Sequence, residues 1–163
     1  MIIEREIIVN QNINHTWDII GPQFADAYKW ASPVSHSEGS GESFNGSTCS
    51  ERGCATTMGG LKEKIIAYSN ESQTITWEAI EGMPSMVKKA TNSWILTALG
   101  VNQTKVVMKM DIQSGGVLGF LMLPILKFQM GSLANDITSD FKYYAENGKP
   151  SPKKLKAIKK HQN

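Results

Sequence analysis

Toward the C-terminus, Leu126, Met130, Leu133, Ile137, Phe141 and Tyr144 recur at spacings of four, three, four, four and three. That rhythm draws one apolar stripe along a helix and predicts an α-helix over residues 118–146, with Gly148 and Pro150 as stop signals. Ahead of it the period changes to two. Val106, Met108, Met110 and Ile112 alternate with Lys105, Lys109 and Asp111, the clearest strand pattern in the chain, over residues 104–113. In the strand predicted over 74–81, Ile75, Trp77 and Ala79 share a face opposite Thr74, Thr76 and Glu78.

The other elements follow from weaker signals. Ile2 to Val9 is a β-branched run and reads as a first strand, with Ile3, Arg5, Ile7 and Val9 on one face. Asn12 or Asn14 offers an N-cap for a short helix, Ile13 to Ile20. Gly21-Pro22 breaks it, and Pro22 opens a second short helix to about Lys29. Strands are expected at 34–41 and 47–56 around an Asn45-Gly46 turn, at 61–68 and at 86–98. In the strand over 61–68, Lys62 and Lys64 mark the outer face and turn Leu61, Glu63 and Ile65 inward. The strand over 86–98 admits two parities, and burying Trp94 selects the one that places Asn92, Trp94 and Leu96 inside. Strand, two short helices, six strands and a long helix, with closely spaced turns, make an α+β domain on an antiparallel sheet.

Charge divides the chain. The net charge of +2 conceals a tail, residues 149–163, with six lysines and no acid, against a body of 11 basic and 15 acidic groups, or −4. This divides the chain into a domain over 1–148 and a basic C-terminal tail over 149–163 that reads as a solvated end, with contact to a protein partner or an anionic surface as its functional alternative. Nucleic-acid binding is not expected, because the basic cluster contains no aromatic platform. The N-terminus shows no signal-peptide pattern, and the ten-residue apolar run 117–126, with Pro124 inside it, is about half a membrane span. The chain therefore reads as a cytoplasmic protein with no membrane span. Cys49 and Cys54 are expected to stay reduced, since an odd separation on one strand puts them on opposite faces. No metal is expected, as no His-x-His, Cys-x-x-Cys or His-x-x-x-His spacing occurs, and no cofactor is implied.

Several stretches together resemble the START-like, or SRPBCC, superfamily, and within it the polyketide cyclase/dehydrase and lipid-transport group. They are Glu4-Arg5-Glu6-Ile7-Ile8-Val9 leading into Ile13-Asn14-His15-Thr16-Trp17-Asp18-Ile19-Ile20, the passage from Trp30 through Pro33-Val34 to Glu38, Gly60-Leu61-Lys62-Glu63-Lys64-Ile65, and Phe141-Lys142-Tyr143-Tyr144-Ala145-Glu146-Asn147-Gly148-Lys149-Pro150. Gln11-Asn12 stands where the family often has Ala-Pro. The resemblance implies a helix-grip fold, a curved antiparallel sheet of about seven strands gripping the C-terminal helix over an apolar cavity. It implies no single chemistry, because members include cyclases, lipid carriers, hormone and allergen-type binders and chaperone cofactors.

On this reading the cavity is lined by Trp30, His36, Glu63, Trp77, Asn92, Trp94, Met108, Met110, Leu126, Met130, Leu133 and Ile137. Its flexible entrance involves the second short helix with Pro33, the loop at Met83-Pro84 and the Gly115-Gly116 junction. Glu63 and His36 are the candidates for acid–base chemistry. A buried carboxylate must be paired, hydrogen-bonded or protonated, so Glu63 is either a proton shuttle or one half of a structural ion pair with Arg5 or another cation. His36 sits near the cavity mouth if the second strand is placed correctly. The expected function is binding, or transport, of a small apolar or amphipathic ligand. A cyclase/dehydrase-type enzyme using the same cavity and a protein-interaction module are the alternatives.

Overall fold

The computed structural model describes the backbone of residues 1–161 and the side chains of 1–116 and 121–160. The side chains of Val117 to Phe120, part of the apolar run, and His161 in the tail lie outside the described residues.

Seven strands form one antiparallel sheet in the order β1-β7-β6-β5-β4-β3-β2. They are β1 Ile2–Val9, β2 Val34–Ser40, β3 Glu51–Thr56, β4 Gly59–Ser69, β5 Thr74–Glu81, β6 Val87–Gly100 and β7 Gln103–Ser114. Helix α1, Ile13–Ile20, and a 3-10 helix, Phe24–Lys29, connect β1 to β2. Helix α2, Gly116–Asn147, follows the sheet, and α3, Pro152–His161, ends the described chain. The second short helix is thus 3-10 rather than α, and Asp26 breaks its regularity with non-helical torsions. Of the two possible caps for α1, Asn12 serves: its side chain accepts from the His15 N–H at 2.9 Å.

The layers meet as the alternation predicts. Ile75, Trp77, Trp94, Leu96, Val106, Met108, Met110 and Ile112 are buried on the inner face of the sheet, against Met130, Ala134 and Phe141 of α2. Arg5, on the inner face of β1, donates to the Asn135 side chain at 2.5 Å and to the Gly131 carbonyl at 3.2 Å, tying the sheet edge to α2. This is the helix-grip arrangement, α+β.

Two expectations fail locally. The strand drawn over 47–56 starts only at Glu51, because Ser47 turns the chain: its hydroxyl accepts from the Phe44 N–H and donates to the Cys49 carbonyl. Parity therefore never reaches Cys49, and both cysteines are buried and free. The tail is not a solvated end either. Most of it folds into α3, which packs beside β2, and Lys154 is among the most deeply buried side chains in the protein.

Candidate functional site

Between the sheet and α2 lies a cavity of about 150 Å3. Ile20 of α1, Ala27 of the 3-10 helix and the segment Trp30–Val34 close one side, through Trp30, Ala31, Pro33 and Val34. The inner faces of β3 to β7 form the floor, and Met130, Leu133 and Ile137 of α2 form the roof. Met58, 65% exposed, and Met83 stand at the rim. The three roof residues lie on one helical face because their spacing follows the helical period.

Of the twelve predicted lining residues, Trp30, Glu63, Trp77, Asn92, Trp94, Met110, Met130, Leu133 and Ile137 border this cavity. His36, Met108 and Leu126 do not. The sheet register slips between Val34 and His36, so Ser37 takes the buried position and the His36 side chain is 66% exposed beside Glu38. Met108 faces inward but is packed solid, since at its level Phe141 fills the layer, 4.9 Å from the ring of its register partner Trp94. Leu126 sits one turn before Met130 and packs, half-buried, against the core.

Glu63 is held on every side. Its cation is Arg52, directly opposite on β3, and not Arg5, which lies across the sheet on the far edge strand. Arg52 donates from Nε at 2.9 Å and from Nη2 at 2.5 Å to Oε2 of Glu63, while Trp77 Nε1 donates to Oε1 at 2.8 Å. The Cys54 thiol points to the same Oε2 at 3.7 Å. Arg52 also donates to the Phe24 carbonyl at 2.6 Å and lies 4.1 Å from the centre of the Phe24 ring. The group has the geometry of a buried, fully hydrogen-bonded ion pair. Burial, with the nearby Glu63 carboxylate adding to it and Arg52 opposing, pushes the Cys54 thiol up to about 11, so it is a poor nucleophile at neutral pH.

Arg52 is the residue the sequence pattern did not single out. The available signal was its two-residue spacing from Cys54, which puts both on one face of β3.

The aromatic wall is continuous. Trp77 stacks on Trp94 with centroids 6.5 Å apart, and Trp30 meets both Trp94 and Phe141 edge-on. Among the described residues, the buried side-chain nitrogen and oxygen atoms without a hydrogen-bond partner are Trp30 Nε1, Trp94 Nε1 and Asn92 Oδ1. They belong to three residues that line the cavity.

A family model described as polyketide cyclase / dehydrase and lipid transport matches residues 2–146. The chain belongs to this family. Solved structures with the family's fold match almost end to end. The Zhui aromatase/cyclase from a Streptomyces species is 11% identical, with TM-score 0.67 over 93% of this chain and 99% of that one. A START superfamily protein from Mycobacterium smegmatis is 14% identical, with TM-score 0.66 over 90% and 94%. A norcoclaurine synthase from Thalictrum flavum, solved in complex with dopamine and hydroxybenzaldehyde, is 16% identical, with TM-score 0.63 over 85% and 84%. At these identities the likeness is one of fold. No curated protein matches the chain in sequence. No helix among the described residues is long and apolar enough to cross a membrane.

Proposed function

We propose that this member of the polyketide cyclase/dehydrase and lipid-transport family binds a small amphipathic ligand in the cavity between the sheet and α2. The observation that carries this is that the three unpartnered buried polar atoms, Trp30 Nε1, Trp94 Nε1 and Asn92 Oδ1, all belong to residues that line this largely apolar cavity. A buried polar group without a partner costs about 1–3 kcal/mol, so such groups gather where something else is meant to pair with them. Two indole N–H donors call for an oxygen acceptor on the ligand, and the Asn92 oxygen calls for a donor.

Volume limits the size. An apolar cavity of roughly 150 Å3 takes up a single benzene-sized ring. One ring or a short chain therefore fits inside, and a second fused ring or a longer chain extends past Met58 and Met83. The two small ring compounds bound by the norcoclaurine synthase fall in this size class.

Glu63 speaks for binding over acid–base catalysis. Both of its oxygens already accept hydrogen bonds from Arg52 and Trp77, which leaves it as a rigid part of the wall rather than a base reaching toward a substrate.

The test is native mass spectrometry of the purified protein with organic extraction of whatever it carries, followed by titration of the emptied protein with the extracted compound. Recovery of one compound of ring or short-chain size that rebinds at one-to-one stoichiometry supports the reading. An empty protein that no ring-sized amphiphile raises in melting temperature overturns it.

A further inference from the structure

The segment Trp30–Val34, which supplies one wall of the cavity, leads into β2 and is anchored by side chains that come from the other end of the chain. Asp140 of α2, itself buried, accepts the Ser32 N–H on Oδ2 at 2.8 Å. Its other oxygen accepts the hydroxyl of Ser151. The same hydroxyl oxygen accepts the Lys154 N–H at 3.0 Å, at the start of α3. Lys154, only 1% exposed, then reaches back with Nζ to the Val34 carbonyl at 2.5 Å. The result is a closed circuit running from the cavity wall to α2, to α3 and back to the wall.

Lysine is rarely buried unless paired, because desolvating an ammonium is costly. Here burial lowers the Lys154 pKa while Asp140 opposes that shift. Five other lysines of residues 149–163 stay on the outside of the same segment, and one of them, Lys153, pairs with Asp136 at 2.5 Å. A tail needed only for solubility has no use for a lysine in the core. We infer that α3 is a strap that holds the Trp30–Val34 wall in place, with Lys154, Ser151 and Asp140 as positioning residues for the ligand cavity. The positioning role rests on the ligand-binding reading above; the mechanical role does not.

The test uses the full chain carrying Lys154→Met, which keeps the buried stem and removes the ammonium, or the milder Ser151→Ala. Lys153→Ala, which deletes only the outer ion pair, is the control. Two measurements are made on each: backbone amide exchange, and the dissociation rate of 2-naphthol, a fluorescent two-ring amphiphile. In Lys154→Met the Ser32 and Val34 amides exchange about tenfold faster or more, while amides of central β7 keep the parent rate. The probe leaves about tenfold faster as well, and Lys153→Ala changes neither. Parent-like exchange at Ser32 and Val34 in both test variants overturns the strap. Faster exchange with unchanged probe release overturns the positioning role and leaves a purely mechanical tie. If 2-naphthol fails to bind even the parent protein while the exchange effect is present, the ligand reading and the positioning role fall and the strap stands.

Discussion

Arg52 and Glu63 face each other across adjacent strands, and two guanidinium nitrogens converge on one carboxylate oxygen at 2.9 and 2.5 Å. Both side chains are buried, so neither charge can turn to water if the other is removed. Arg52→Leu or Glu63→Leu alone should each lower stability by about 3–5 kcal/mol. The double replacement should lose much less than the sum, since it buries no lone charge. Urea denaturation of the four proteins measures the coupling, and additive losses would show that the pair does not act as a unit.

Cys54 lies beside this pair, and burial pushes its thiol up to about 11. Iodoacetamide at about pH 8 should therefore modify it at least about a hundredfold more slowly than a free cysteine, until denaturant is added. The linkage sign is fixed by the raised value. Between the ordinary 9.0 and about 11 the unfolded chain loses the thiol proton first, so the folded state loses the Cys54 contribution as pH climbs through that window. Buried Lys154 has a lowered pKa and acts in the opposite sense as pH rises toward 10.5. The comparison that isolates the thiol is parent against Cys54→Ala, whose melting temperatures should diverge in the parent's disfavour above about pH 9.

Asn92 separates stability from binding. Its Oδ1 is buried without a partner, so Asn92→Leu should leave stability unchanged or raise it by about 1 kcal/mol. The same change should erase about tenfold of the preference for 2-naphthol over naphthalene, which differ only in the hydroxyl. A loss of stability with selectivity intact would make Asn92 a structural residue.

Gly21 shows packing acting through a turn. A Cβ there would sit 2.5 Å from the Trp17 ring, which is itself fixed by its Nε1 donating to Asn70 at 2.9 Å. Gly21→Ala should cost about 1–3 kcal/mol by overpacking, read from the shift in urea midpoint, with no effect on probe selectivity in the protein that remains folded.

What could be read from the chain beforehand follows from how local each signal is. The inner face of β7 was legible because lysines and an aspartate alternate with Val106, Met108, Met110 and Ile112, and a period-two pattern needs no knowledge of partners. The parity of β6 was legible only through the bulk of Trp94, which has no place outside. His36 was misplaced because a bulge in a Ser- and Gly-rich edge strand leaves no hydrophobic trace. The partner of Glu63 was hidden for another reason: it depends on the β3–β4 register, which the turn at Thr57-Met58 sets and which β3, with few large apolar side chains, does not announce. Composition misled at the tail. Six lysines describe a solvated segment on average, and the one that is buried looks like the others in sequence.

The central claim, a ligand cavity between the sheet and α2, is tested most directly by following backbone amide resonances during titration with 2-naphthol. The account predicts saturable shifts gathered on Ala79, Asn92, Met110 and Leu133, which line the cavity, with none on Thr76 and Lys109 of the sheet's outer face. Shifts confined to the outer face, or none at the cavity up to the solubility limit of the probe, would contradict it.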